Sequence, residues 1–177
     1  MQLYTKTQIK PFNQRISHYS SILSLGSCFA DNMAKRLNSL KFDVVSSPTG
    51  ILFNPESIAL AIERFAAYND GDNSALPQRN ELHYDNGCWF HYDFHSAFSN
   101  SDSDKALAQM QEAVKLGAEA LKRADTVIIT FGSAIIYRYN DNQQVVANCH
   151  KQPQRLFTRE LLDAEAIAQR YLKLCLN

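Results

Sequence analysis

A serine and a cysteine stand side by side at the point of the chain where chemistry is most strongly indicated, Gly26-Ser27-Cys28. Residues 22–25 predict a short buried strand ending at Gly26, since glycine takes backbone angles that other residues resist. Residues 29–40 predict a helix, because apolar side chains recur there every three to four positions. A nucleophile on such a turn projects above the sheet edge, and the helix N-terminus favours an anion beside it. The pattern therefore predicts a nucleophile at residue 27 or 28.

Ser27 and Cys28 each also have a structural explanation. Serine is a preferred N-cap, and capping of the following helix is the simpler role for Ser27. Cys28 could be a small buried residue that packs a tight turn, since free cysteine is often buried. The residue types alone leave these alternatives open.

Histidines supply two further candidate sites. His150, within Asn148-Cys149-His150, could act as a base or orient a substrate, although an ordinary loop histidine is the simpler explanation. On a predicted strand over 88–94, His91, Asp93 and His95 share one face and could bind zinc or iron. A half-buried strand with a polar outer face shows the same pattern. No further ligand follows from the spacing, so neither a metal nor another cofactor is predicted.

Strands alternate with helices along the chain. Strands are predicted at 42–46, 126–131, 135–139 and 145–148, and helices at 55–68, 104–124 and 159–176, the last one capped by Thr158. Asp85-Asn86-Gly87 between β-prone runs predicts a hairpin insertion over 81–95. The run 126–131 is typical of a parallel strand buried on both faces. The order predicts a single α/β layered domain over 1–177 with a mostly parallel sheet, whose ligands sit at the carboxyl ends of the strands.

The composition of the chain limits the kinds of partner that it is expected to bind. The 177 residues carry a formal net charge of zero, which argues against nucleic acid or an anionic membrane as the main partner. The N-terminus lacks the apolar segment of a secretory signal, and no apolar run is long enough to span a membrane. The four cysteines are scattered, so reduced thiols and a cytoplasmic location are expected.

Four sequence blocks resemble the GSCFA family. They are Gly-Ser-Cys-Phe-Ala at 26–30, Ser-Pro-Thr-Gly-Ile-Leu-Phe-Asn-Pro at 47–55, Thr-Phe-Gly-Ser-Ala at 130–134 and Asn-Cys-His-Lys-Gln-Pro at 148–153. That family belongs with the SGNH, or GDSL-like, hydrolases. The resemblance implies a flavodoxin-like three-layer α/β/α sandwich and an esterase-type activity.

The resemblance also implies roles at the site. A gapless alignment places Cys28 at the nucleophile position, and a one-residue gap places Ser27 there. The backbone N–H groups of 28–29, with Gly26 and Phe29 shaping the turn, would hold the oxyanion together with Gly50. Gly132 and Ser133 resemble the next glycine block. Its usual asparagine is replaced by Ala134, and Asn148 is the candidate to supply the missing donor.

One departure from the superfamily lies near the C-terminus. No Asp-x-x-His follows residue 134, although SGNH enzymes take their base from such a block. The resemblance therefore implies a chain that is the N-terminal part of a longer protein and lacks its own late histidine. An exposed sheet edge would follow, and with it a homodimer.

Three functions remain on the sequence alone. The first is an ester hydrolase or acyltransferase acting on a small molecule, such as an O-acylated carbohydrate, through the 26–28 turn. The second is a non-catalytic carbohydrate-binding or assembly module that kept the fold. The third is a metal-binding domain that uses His91, Asp93 and His95.

Overall fold

A three-stranded parallel sheet forms the centre of the domain in the computed structural model, which describes residues 10–11 and 13–176. Its strand order is β2-β1-β5, with β1 at Ser21–Gly26, β2 at Asp43–Ser46 and β5 at Thr126–Thr130. All three predicted strands are confirmed within two residues at each end. The carboxyl ends of β1 and β5 meet, because Gly26 lies opposite Thr130 in their register.

Helices cover both faces of this sheet. Helix α1, at Cys28–Ser39, packs on the face that carries Ile22, Val44 and Ile128. Helices α2, at Pro55–Asn69, and α3, at Ser103–Arg123, pack on the opposite face against Leu23 and Leu25. Consecutive residues of β1 thus enter different cores, as the alternation of a strand requires. The predicted flavodoxin-like α/β/α class is confirmed.

The buried face of α1 differs from the predicted one. Ala30 and Ala34 are the buried residues of this helix, whereas Phe29 is 61% exposed and Met33 is 41% exposed. Alanine brings a helix backbone close to a sheet, and the larger side chains one position earlier then turn outward. The apolar repeat Phe29, Met33, Leu37 and Leu40 identified the helix correctly, but of these four residues only Leu37 packs on the core, and the other three are exposed.

Strand β5 is also less buried than its composition suggests. Among the described strands it pairs only with β1, so it forms an edge of the parallel sheet. Val127 on this strand is 40% exposed. The prediction of a strand buried on both faces is therefore wrong.

A second, antiparallel sheet lies C-terminal to β5, with strand order β7-β6-β8. Strand β6 spans Ile135–Tyr139, β7 spans Val145–Val146 and β8 spans Phe157–Leu161. The predicted pairing of 145–148 with 135–139 is confirmed at Tyr137 and Arg138. The residues of β8 were predicted as the start of the last helix, and this is wrong: α4 spans only Ala164–Leu176. Asp163 caps α4 by accepting the Ala166 N–H at 2.8 Å.

The predicted hairpin consists of β3, at His83–Asp85, and β4, at Cys88–Phe90, joined by Asn86-Gly87. It packs against the antiparallel sheet through an aromatic cluster in which Phe90, Tyr92 and Phe157 are buried. No helix in the described part of the chain is both long enough and apolar enough to cross a membrane.

Candidate functional site

The turn between β1 and α1 is held tightly against the end of β5. Gly26 has φ +134°, and a Cβ built on it would lie 2.1 Å from the backbone oxygen of Thr130. Only glycine fits this position, for reasons of both space and backbone angle. The next N–H, of Ser27, donates to that same oxygen at 3.2 Å. The turn is thus fixed by β5 as well as by its own strand.

The two candidate nucleophiles occupy different surroundings. Ser27 is 7% exposed, and its hydroxyl lies 3.1 Å from the Thr130 hydroxyl. It sits at the N-cap position of α1, but its side chain makes no capping hydrogen bond, so the predicted capping role is not what the structure shows. Cys28 is the first residue of α1, and its side chain is exposed.

The backbone N–H groups at the start of α1 are available as donors, whereas those of Gly50, Gly132 and Ser133 are not. The first N–H groups of a helix have no intrahelical acceptor, and those of Cys28 and Phe29 have none among the described backbone hydrogen bonds. The Gly50 N–H donates to the Ser47 carbonyl at 2.8 Å. The N–H groups of Gly132 and Ser133 both donate to the Phe53 carbonyl, at 2.8 and 3.0 Å. These three donors are therefore already satisfied.

A cavity of about 350 Å³ is lined in part by Phe53, His95, Ser133 and Asn148, and none of residues 26–29 lines it. Gly132, which precedes Ser133 in the chain, connects it to the turn, since a Cβ added there would come within 3.1 Å of the Ser27 Cβ. The structure thus brings Ser133 and Asn148 to one cavity, at the edge of the sheet where the sequence predicted a ligand. This is the general position of ligands in parallel α/β sheets.

His95 belongs to this cavity, although the sequence suggested only a metal-binding role for it. Its backbone N–H donates to the Thr49 carbonyl at 3.1 Å, and its Cβ packs on Gly50. Its Nδ1 accepts the Ala97 N–H at 3.2 Å, which leaves the proton of a neutral ring on Nε2. In this state the ring offers a donor. The contact with residues 49–50 is tertiary, and no spacing in the sequence signals it.

His150 serves a different part of the molecule. Its Nε2 lies 3.0 and 3.1 Å from the carbonyl oxygens of His91 and Phe94, to which it donates. The ring stacks on Phe90, with centroids 4.4 Å apart. Burial lowers the pKa of His150 below its ordinary value. None of the contacts described for this ring involves residues 26–28, so the structure does not bring the predicted base to the predicted nucleophile.

Asn148 links the cavity to the His150 loop. Its Oδ1 accepts the His150 N–H at 2.8 Å, which fixes the orientation of the amide. Its Nδ2 has no hydrogen-bond partner among the described residues. The Asn148 amide N–H is therefore available as a donor at this cavity. A donor of this kind is what the chain lacks at position 134, where alanine stands in place of the expected asparagine.

The predicted metal trio does not assemble. Strand β4 ends at Phe90, and Tyr92 and Asp93 lie in a turn, so the predicted strand over 88–94 is wrong in its second half. His91 Nδ1 accepts the Asp93 N–H at 3.0 Å, while His95 faces the other cavity. Across residues 10–11 and 13–176, no group of three histidine, cysteine or acidic side chains is arranged to hold a metal.

The fold and the turn define an α/β/α protein with a serine and a cysteine at the first strand-to-helix junction. The family model described as the GSCFA family matches residues 21–176, so the chain belongs to the GSCFA family. Comparison with curated proteins and with solved structures finds no matching relative.

Proposed function

We propose that this domain is an ester hydrolase or acyltransferase whose nucleophile lies at the 27–28 turn, acting on an acylated small molecule such as an O-acylated carbohydrate. The observation that carries the proposal is the turn itself. A serine and a cysteine follow a glycine with a positive φ at the carboxyl end of β1, at the start of a twelve-residue helix with unpaired N–H groups. The resemblance of the family to SGNH hydrolases supports the same chemistry.

Exposure favours Cys28 over Ser27 as the attacking residue. The Cys28 side chain is exposed at the first position of α1, beside helix N–H groups that have no acceptor among the described backbone hydrogen bonds. The Ser27 hydroxyl is buried against that of Thr130, and no histidine is among its hydrogen-bond partners. Ser27 is therefore better placed to hold the turn than to attack a substrate.

The proposed reaction follows from these positions. The Cys28 thiol gives up its proton to solvent, its sulfur forms a bond to the ester carbonyl carbon, and the carbonyl π electrons move onto oxygen. The N–H groups of Cys28 and Phe29 are the donors in reach of that oxyanion. Collapse of the adduct breaks the C–O bond to the alcohol, and the departing alkoxide takes a proton. That proton comes from solvent, because the neutral His95 ring, whose Nδ1 accepts the Ala97 N–H, offers a hydrogen bond from Nε2 rather than a transferable proton. Water or a second alcohol then takes the acyl group from sulfur.

The test is hydrolysis of 4-nitrophenyl acetate by the wild type and by Cys28→Ala and Ser27→Ala. We expect Cys28→Ala to lower kcat/KM by about 100-fold or more, which corresponds to about 3 kcal/mol of transition-state stabilisation. Cys175→Ala is the matched control, because Cys175 is also an exposed thiol and lies on α4. It corrects for the background reaction of any thiol with an activated ester.

Alkylation by iodoacetamide gives a second measurement that does not depend on the substrate. Cys28 should react faster than Cys175 near neutral pH, although both thiols are exposed. A loss of activity in Ser27→Ala but not in Cys28→Ala would transfer the role to Ser27. Activity that survives both substitutions would reject a nucleophile at this turn.

A further inference from the structure

A cavity larger than the one beside Ser133 is not lined by any residue of the 26–28 turn. It is a cleft of about 790 Å³ between α2, the segment 72–83, the turn at 91–93 and the β6–β7 hairpin. We call it the α2 cleft. None of residues 26–29 lines it, and Val146 is the residue it shares with the smaller cavity beside Ser133. A volume of this size accommodates a drug-sized or disaccharide-sized ligand.

One wall of the α2 cleft holds a donor and an acceptor that do not meet. His91 is 7% exposed, and its Nδ1 accepts the Asp93 N–H at 3.0 Å, which places the ring proton on Nε2. That Nε2 lies 3.8 Å from Glu81 Oε2, beyond hydrogen-bond distance. A hydroxyl oxygen can accept from Nε2 and donate to the carboxylate at the same time, because it is both acceptor and donor. The pair is therefore built to receive a hydroxyl group.

Aromatic side chains form a second wall. Tyr92 and Tyr139 line the cleft with ring centroids 5.0 Å apart, and the His83 ring lies 4.4 Å from that of Tyr92. Tyr139 is only partly buried, so part of its ring is open to a ligand. Such side chains combine an apolar face with a polar edge. They suit a ligand that is itself a ring with C–H groups on its faces and hydroxyls at its rim.

The charge of the cleft selects against anions. Both of its arginines are engaged by carboxylates: Arg64 contacts Asp93 at 2.5 Å, and Arg138 contacts Glu160 at 2.7 Å. Glu81 accepts only from the Gln78 N–H among the described hydrogen bonds, and Asp72 only from Ser74. Carboxylates that no cation neutralises repel phosphates and uronic acids. Asn80, an uncharged amide, adds a donor and an acceptor to the lining.

We propose that the α2 cleft is a binding site for a neutral saccharide, with one hydroxyl bridging His91 and Glu81 and the sugar ring lying against Tyr139. The proposal is independent of the nucleophile at 27–28, because it concerns binding and a separate set of residues. If both proposals hold, the cleft would retain the carbohydrate part of an acylated substrate. If the hydrolase proposal fails, the cleft still defines a carbohydrate-binding module.

The test is saturation-transfer NMR on the intact chain with neutral disaccharides (cellobiose, xylobiose, maltose and diacetylchitobiose) and with two anionic sugars, glucuronic acid and glucose 6-phosphate. We expect at least one neutral disaccharide to bind with Kd of about 1 mM or tighter, and the anionic sugars to bind more weakly. Failure of every neutral disaccharide to bind, or preference for the anionic sugars, would overturn the proposal.

Two variants locate the binding. Glu81→Gln keeps an oxygen for the Gln78 N–H and removes the charged acceptor, and His91→Asn keeps an acceptor for the Asp93 N–H and removes the Nε2 donor. Each should weaken the binding by about tenfold or more. Glu112→Gln, on the exposed side of α3 and outside the cleft, is the matched control and should bind as the wild type does. Binding that is unchanged in both folded cleft variants would place the sugar elsewhere and refute the site.

Discussion

Thr130 determines how the residues of the candidate site are presented. Its backbone oxygen accepts the Ser27 N–H at 3.2 Å, and its hydroxyl lies 3.1 Å from the Ser27 hydroxyl. The same backbone oxygen leaves no room for a Cβ at residue 26. One residue on β5 thus fixes the glycine and the serine, and leaves Cys28 as the first side chain of the turn that faces solvent.

The half-buried His150 makes stability depend on pH. Because burial lowers its pKa from the ordinary 6.5, the unfolded chain binds a proton that the folded chain does not bind between the two values. Stability is therefore fully present above the unfolded pKa and falls as the pH drops below it. We expect urea unfolding of the wild type to show a decreasing free energy of unfolding from about pH 7.5 to pH 5.

Substitution of this histidine tests the assignment. His150→Gln retains an N–H donor for the carbonyls of His91 and Phe94 but does not titrate, so its stability should depend less on pH over that range. The half-buried His83, whose pKa is lowered in the same direction, should leave a residual slope. An equal slope in His150→Gln would show that another group is responsible.

The sequence predicted the Gly26-Ser27-Cys28 turn because every signal for it is local: a short apolar strand, a glycine and a helical repeat. It could not predict the cavity around His95. That histidine reaches the site through Thr49 and Gly50, more than forty residues away in the chain, and no spacing rule connects them. For His150 the position within a family block suggested chemistry, whereas the contacts of its ring are with Phe90 and the carbonyl of His91, so its catalytic role stays a prediction.

At the scale of elements, helix α1 shows how a small residue decides which face is buried. Ala34 is 1% exposed against the sheet, while Met33 beside it is 41% exposed. We expect Ala34→Leu to lower the free energy of unfolding by about 1–3 kcal/mol, because extra volume cannot fit without moving the helix. Met33→Gln should change it by less than about 0.5 kcal/mol. Urea denaturation of both variants measures this, and a larger cost at Met33 would restore the face that the apolar spacing suggested.

Strand β8 shows where local propensity fails. Arg159, Glu160 and Leu161 are good helix formers, and a helix was predicted to begin there. In the structure they pair with β6, from Leu161 opposite Ile135 to Phe157 opposite Tyr139. This strand is exposed except at Phe157, so its sequence carries no alternation of buried and exposed residues that would identify it. Pairing with a distant strand overrides a weak local preference.

At the scale of the molecule, the turn at 91–94 joins the parallel sheet to the antiparallel sheet. Phe94 packs in the core of the parallel sheet, and Tyr92 packs in the aromatic cluster of the antiparallel sheet. The Tyr92 carbonyl accepts the N–H groups of Ala147 and Asn148, at 2.9 and 3.1 Å, and His150 donates to the carbonyls on either side. Val146, next to these residues, lines both the α2 cleft and the cavity beside Ser133. A ligand bound in the cleft therefore contacts the segment that carries Asn148, which gives the two cavities a direct structural connection.

The edge of the parallel sheet leads to a proposal about self-association. Val127 on β5 is 40% exposed and Phe131 just beyond it is 48% exposed, on a strand that pairs on one side only among the described strands. An edge of this kind is a template for a second chain, and the net charge of zero provides no repulsion between copies.

We propose a homodimer that pairs through β5, and we expect sedimentation velocity near pH 7 to show it. Val127→Lys should shift the distribution to monomer, whereas Leu116→Lys, the same kind of change on the exposed side of α3, should not. Monomeric wild type at all concentrations, or equal effects of the two lysines, would rule out association through this edge.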